Sequence, residues 1–481
     1  MTRRWRRRLV ILALGPVAAI VPAGAAFAHP LGNFTINAYA GLIVQPHQLV
    51  VDYVVDMAEI PAFQQKQAID VDSNGRIEPG EATSYATTAC SRDLAGVSAT
   101  VDGATQLALG PSSATVSFPP GAAGLTTLRL QCRWTARLAP ASGTLQWNDR
   151  NFAGHIGWHE VTAAGDRTTL ASSDVPRTSV SDRLTSYPRK LLSSPLAVRS
   201  AALSWRPGGP ALATPSYVGA GGTSQPLGAD STTSRYTGLL AHRSLTWGFV
   251  LTALLAAVAL GGLHAFAPGH GKTAMAAYLV GSRGSLRSAA QLGLTVTAAH
   301  TAGVVALGLA IATASTWAPE RLYPWLSLAS GALIFATGAG LLRRRARANG
   351  HHSHPHPHGH AHSHEHSHDE GHALPARGSI AVLGLAGGLV PSPSAVIVLL
   401  GALALHRVWL GLALVLAYGV GMAFVLMMVG VALARVAGRA RAIPRLQGSW
   451  LLRRPAAAAT VSSVAVMAAG LLVIGRSVVQ V

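Results

Sequence analysis

The chain has 481 residues, of which 49% are hydrophobic and only 12% charged. Its mean hydropathy of +0.34 is too high for an ordinary soluble protein and fits a mixed membrane protein of two or three units. The formal charge of +19 first suggests nucleic acid. Its arginines flank apolar runs as juxtamembrane clusters do, however, which argues against a nucleic-acid partner.

Residues 1–28 read as a signal peptide. Arg3, Arg4, Arg6, Arg7 and Arg8 form the basic start, Leu9 to Val21 the short apolar region, and Ala26-Phe27-Ala28 the cleavage site. Cleavage would leave His29 as an ordinary terminus.

Residues 29–202 read as an exported, β-rich α+β domain. Leu42–Val44 and Leu49–Val55 flank Gln45-Pro46-His47-Gln48, which predicts a hairpin. Residues 128–138 alternate strictly, with Leu128, Leu130, Cys132, Trp134, Ala136 and Leu138 on one face, predicting a half-buried strand. Cys90 and Cys132 are the only cysteines, and an even pair in an exported region predicts one disulfide. His155 and His159 read as structural, because Gly157 and Trp158 between them favour strand and turn.

Residues 70–81 match an EF-hand loop at every specified position. Calcium takes six to eight oxygens. Asp70, Asp72 and Asn74 supply side chains, Arg76 a carbonyl, Glu78 a water-bridged position and Glu81 a bidentate carboxylate, while Gly75 makes the sharp turn. No second loop of this kind occurs, which predicts a weak structural Ca²⁺ site. Residues 203–245, rich in Gly, Pro, Ser and Thr, read as a linker.

The rest predicts an α-helical polytopic membrane bundle. Apolar runs at 246–267, 288–313, 324–342, 379–404, 408–434 and 457–475 approach or exceed the ~20 residues that span a bilayer. Three spans fall within 246–342 and three within 379–481. Ala274–Val280 is too short to cross and suggests a re-entrant or interfacial piece. Lys272, Arg283 and Arg287, then the arginines of 343–378 and 435–454, follow spans one, three and five. The opposite connections and tail carry only Arg321, Arg407 and Arg476. This asymmetry places the N-terminal domain outside the cell membrane and the 343–378 loop in the cytoplasm.

Ionisable groups within such runs are costly and usually functional. His264 and His270 flank Pro268-Gly269 where the first run breaks off. In an unbroken helix their spacing sets the rings roughly 120° apart and about 9 Å along the axis. The break is therefore needed to close them on one ion. His300 lies near the middle of the second span, with Thr297 and Thr301 within a turn to orient it or add oxygens. A straight first span would leave His264 and His300 at different depths, so the chain behind Pro268-Gly269 should fold back toward His300. Pro391-Ser392-Pro393-Ser394, after Gly387-Gly388, predicts another broken helix lining a cavity. The cytoplasmic loop carries His351, His352, His354, His356, His358, His360, His362, His364, His366, His368 and His372. A tract of this composition cannot bury a core, and its imidazoles bind divalent transition metals.

Several enzyme motifs are missing. Gly271-Lys272-Thr273 imitates the end of a P-loop, but Phe266 stands where glycine is required, and no H-E-x-x-H occurs. The spans hold no cysteine for thiol–disulfide exchange.

Together, His264-Ala-Phe-Ala-Pro268-Gly269-His270-Gly-Lys272, the His300-Thr301 span, the histidine-rich loop and Gly-Gly-Leu-Val-Pro391-Ser392-Pro393 resemble NicO-type nickel/cobalt transporters. The resemblance covers about residues 246–476, and the N-terminal domain is similar to one fused to some bacterial members. It implies a secondary permease for Ni²⁺ and Co²⁺, often an exporter and not an enzyme, with His264, His270 and His300 along the metal path. Many members read Pro-Cys-Pro where this chain has Pro391-Ser392-Pro393, a departure that bears on metal preference. The expected partners are the lipid bilayer and the ions themselves, with a homo-oligomer or a separate transport component as further candidates. The alternatives are a membrane-anchored metal sensor or chaperone acting through the histidine tract, and a zinc or copper permease.

Overall fold

The structure, a computed structural model, describes residues 31–122, 125–192, 194–212, 247–266, 286–313, 322–349, 377–404, 407–442 and 455–478. The signal segment, residues 213–246, the Pro268–Lys272 motif with Ala274–Val280, and the histidine tract lie outside the described residues.

The N-terminal domain is built on a hairpin. β1 (Ile36–Gln45) and β2 (Gln48–Met57) pair antiparallel from Ile36↔Met57 to Gln45↔Gln48, with Pro46 and His47 as the turn. Helices α1 (Glu59–Ile69) and α2 (Pro79–Ala95) follow. The later strands are β3 (Val97–Val101), β4 (Thr105–Gln106), β5 (Gly110–Ser117), β6 (Leu128–Arg137), β7 (Gly143–Asp149), β8 (His159–Gly165), β9 (Thr168–Ser173) and β10 (Ser200–Pro207). They form two five-stranded sheets, β5-β6-β2-β1-β8 and β4-β3-β7-β10-β9. Leu42, Tyr53, Leu130 and Trp134 of the first meet Leu145, Trp147, Leu203 and Trp205 of the second in one core. Burial alternates along β6 as its sequence does, and Cys132 points inward to join Cys90 of α2 with Cα atoms 5.6 Å apart.

The domain ends later than residue 202. β10 runs through the first residues of the expected linker, burying Ala201, Leu203 and Trp205. Hydrogen bonds from Arg167 to Pro210 and from Leu212 to Asp166 carry the ordered chain to residue 212. Three alternating apolar residues are enough for an edge of the core, and the Gly-Pro-rich stretch behind them hides the pattern.

The second half is a helical bundle of α3 (Trp247–Phe266), α4 (Leu286–Thr313), α5 (Leu322–Asn349), α6 (Arg377–Gly388), α7 (Pro393–Ala404), α8 (Val408–Ala442) and α9 (Pro455–Val478). Among the described residues four helices, α4, α5, α8 and α9, are long and apolar enough to cross a membrane. The α6–α7 pair, bent by 64° at its break, makes a fifth. The sequence predicts six. The first expected span falls short because its apolar stretch is only Val250–Ala265, about 24 Å of helix against a hydrocarbon core of about 30 Å.

Helices pack closely where side chains vanish. A Cβ on Gly261 would stand 1.9 Å from the Tyr418 carbonyl, and one on Gly421 would stand 1.8 Å from that of Val258, so α3 and α8 touch backbone to backbone. The N-terminal domain is seated on the bundle end where α4 finishes and α5 begins. Ile60, Ala122 and Leu125 share a cluster with Leu307 and Ile311 of α4 and Leu399 of α7, and the Phe34 and Tyr323 rings meet edge-on at 5.1 Å.

Candidate metal path

Two interruptions of helix create the site. α6 stops at Gly388 because it abuts α4, where a Cβ would lie 2.2 Å from the Val296 carbonyl. The chain then turns through Pro391, and α7 starts under Ser392, whose carbonyl accepts the Ala395 and Val396 N–H groups. This position also brings Ser392 to His300. Its Oγ lies 3.2 Å from His300 Nε2, and its backbone N–H is aimed at the same nitrogen at 3.5 Å. His300 and Ser392 are both buried.

α3 supplies the second imidazole. The His264 and His300 rings are 5.9 Å apart between centroids and tilted by 36°. Two imidazoles sharing one ion at metal–nitrogen distances of about 2.0–2.1 Å set their centroids roughly 5–6 Å apart. The expected difference in depth is not found. α3 ends at Phe266, level with the middle of α4, so no fold-back is needed to bring His264 to His300. His270, Pro268, Gly269 and Lys272 lie outside the described residues, as do His351–His372.

Tyr418 of α8 completes the cluster. Its ring is 5.8 Å from that of His264, and its hydroxyl hydrogen-bonds the side chains of Ser392 and Ser394. Sequence reasoning passes over Tyr418. The available signal was that it is the only hydroxyl-bearing side chain in the run 408–434, and a phenol among apolar helices needs a polar partner. Thr297 and Thr301 sit elsewhere. They line a groove between α4 and α8 beside Gly419 and Val420, and the buried Thr297 hydroxyl has no hydrogen-bond partner. Pro391 and Pro393 bracket Ser392 at the break. Two imidazoles and neutral hydroxyls form a nitrogen–oxygen set suited to borderline divalent ions.

In the N-terminal domain, residues 70–78 join α1 and α2 as a helix–loop–helix. Carboxylate oxygens of Asp70, Asp72 and Glu81 lie within 4.8 Å of one another. Asp70 accepts the Asn74 and Gly75 N–H groups at 3.0 and 2.8 Å, and the Asn74 amide donates to Asp72 and Glu78 at 2.8 and 2.7 Å. Asn74 Oδ1 accepts the Arg76 N–H. Glu81 accepts the backbone N–H groups of Glu78 and Val71, which hold its carboxyl below the usual range. Far from this loop, buried His159 accepts from Arg199 at 2.5 Å. Burial, aided by the Arg199 charge, pushes its pKa down to about 4.

No family model matches the chain, and no solved structure does. Curated relatives do. The nickel/cobalt efflux system RcnA of Escherichia coli is 36% identical over 234 residues, covering 42% of this chain and 83% of that protein. RcnA of Citrobacter koseri is 35% identical over 242 residues, covering 40% and 82%. A putative nickel/cobalt efflux system of Methanocaldococcus jannaschii is 30% identical over 176 residues, covering 36% and 71%. With most of each relative's length matched at these identities, the chain belongs to the NicO-type nickel/cobalt transporter family.

Proposed function

We propose that this protein exports Ni²⁺ and Co²⁺ across the cell membrane, using His264, His270 and His300 as transient ligands. The pairing of His264 and His300 at 5.9 Å across two helices carries the reading, and the names of its relatives support the ions and the direction. A transport site must also release its ion, and neutral imidazoles and hydroxyls hold a divalent ion less firmly than a thiolate cage. The histidine tract gathers cytosolic metal for the path, and the arginine asymmetry supports six spans with the N-terminal domain outside. His264→Ala with His300→Ala abolishes the lowering of cellular nickel and cobalt while leaving the protein in the membrane. Unchanged accumulation sinks the assignment.

The 70–81 loop is proposed to hold Ca²⁺ weakly, on the strength of its three converging carboxylates. The Asn74 amide would have to turn its oxygen inward to join them. Calcium should protect α1 and α2 from hydrogen exchange in the parent and not in Glu81→Gln.

A further inference from the structure

We propose that Ser392, positioned by Tyr418, is the specificity-determining group of the metal path. Its hydroxyl completes a nitrogen–oxygen donor set that takes nickel and cobalt and discriminates against soft ions. The inference rests on the histidine reading above and extends it to a residue outside the three histidines.

The argument begins with a distance. Atoms bonded to one ion at about 2.1 Å stand roughly 3.0 Å apart in octahedral geometry and 3.4 Å apart in tetrahedral geometry. Ser392 Oγ and His300 Nε2 are 3.2 Å apart. They already have the spacing of neighbouring ligands, in a place where both are buried. The Ser392 N–H aimed at Nε2 marks that nitrogen as the acceptor and so as the one with the lone pair. The hydroxyl therefore donates to the electrons an ion would use. An arriving ion takes that lone pair, the hydroxyl hydrogen swings away, and the oxygen is left facing the ion. No bond to carbon or oxygen breaks in this exchange.

Tyr418 fixes where that oxygen sits. Its hydroxyl holds Ser392 and Ser394 at the break, while its ring packs on His264. One side chain thus ties the hydroxyl side of the site to the imidazole side. It acts through Ser392, so its removal weakens the set without changing its chemical character.

Softness then decides selectivity. A hydroxyl beside two imidazoles suits cobalt and nickel, and a thiolate in the same place favours cadmium and other soft ions. The two native cysteines are joined to each other in the N-terminal domain. A thiol introduced at position 392 is therefore the only free one in the chain.

The test uses the full-length protein in detergent or nanodiscs, with cobalt and cadmium as probes. Ser392→Cys should show a thiolate-to-cobalt charge-transfer absorption absent from the parent, and should move the cadmium-to-cobalt affinity ratio toward cadmium. Ser392→Ala should lose cobalt affinity by about 10- to 100-fold without any gain for cadmium. Ser392→Thr, which keeps the hydroxyl, should bind as the parent does. Tyr418→Phe keeps the ring and should cost about tenfold in cobalt affinity. A Ser392→Cys protein with no charge-transfer band and an unchanged ratio overturns the proposal. His300→Ala separates the two readings. If it binds cobalt like the parent, the histidine assignment fails; if it loses cobalt while Ser392→Cys shows no band, only the role of Ser392 fails.

Discussion

A Cβ on Gly388 would stand 3.0 Å from the backbone nitrogen of His300 and 2.2 Å from the Val296 carbonyl oxygen. The end of α6 is thus a template for the α4 turn that carries the imidazole. Gly388→Ala should separate the two helices, cost about 1–3 kcal/mol of stability and reduce metal flux. Gly340→Ala, where a Cβ meets nothing within 4 Å, is the matched control and should be neutral. Thermal denaturation in detergent and cobalt accumulation in cells measure both effects.

His159 makes the N-terminal domain sensitive to acid. Its folded pKa of about 4 lies below the model-compound value of 6.5. Its contribution is therefore complete above pH 6.5 and is lost as pH falls toward 4, where the unfolded chain binds a proton that the fold refuses. Asp93 opposes it. Burial raises its pKa to about 6, so the folded state takes up a proton first and gains stability over much of the same window. The two nearly cancel in the parent. The His159 effect should appear by difference: the parent's stability advantage over His159→Gln shrinks by roughly 3 kcal/mol between pH 6.5 and 4. Hydrogen exchange of β8 amides reads it, and a pH-independent difference counts against it.

The Cys90–Cys132 link closes a sequence separation of 42 residues and fastens α2 to the middle of the first sheet. Replacing both cysteines by alanine should destabilise the domain by about 2–4 kcal/mol. Proteolysis within residues 96–131 should accelerate, while metal binding in the bundle should not change.

Phe34 and Tyr323 lie in different halves of the chain, with rings 5.1 Å apart. A double-mutant cycle of Phe34→Ala and Tyr323→Ala should give a coupling of about 0.5–1.5 kcal/mol, measured as domain release in cross-linking experiments. Zero coupling would mean that the rings do not meet in the membrane.

Much of this could be read in the sequence, for identifiable reasons. The β6 strand shows in strict alternation, and the α6–α7 break in two prolines and two glycines, because both patterns are local. The end of the domain does not show, since β10 is an edge strand with only Ala201, Leu203 and Trp205 to mark it. The level of His264 does not show either. Charge asymmetry assigns sides, but α3 stops at the height of His300 through its packing on α8 at Gly261 and Gly421, and that close contact is visible only in three dimensions. Tyr418 falls in the same class, because a lone phenol in an apolar run reveals nothing of its partners until four helical segments are brought together.

The shared cluster of Ile60, Ala122 and Leu125 with Leu307, Ile311 and Leu399 has a consequence for biogenesis. Synthesis runs from the N-terminus, and domains tend to fold as they emerge. The N-terminal domain is complete by residue 212, whereas α4 begins at Leu286 and α7 at Pro393. Its apolar seat therefore exists before the helices that cover it. The nascent chain must shield that surface while the bundle is inserted, and closure of the seat is the late step that tells a finished molecule from a partly assembled one.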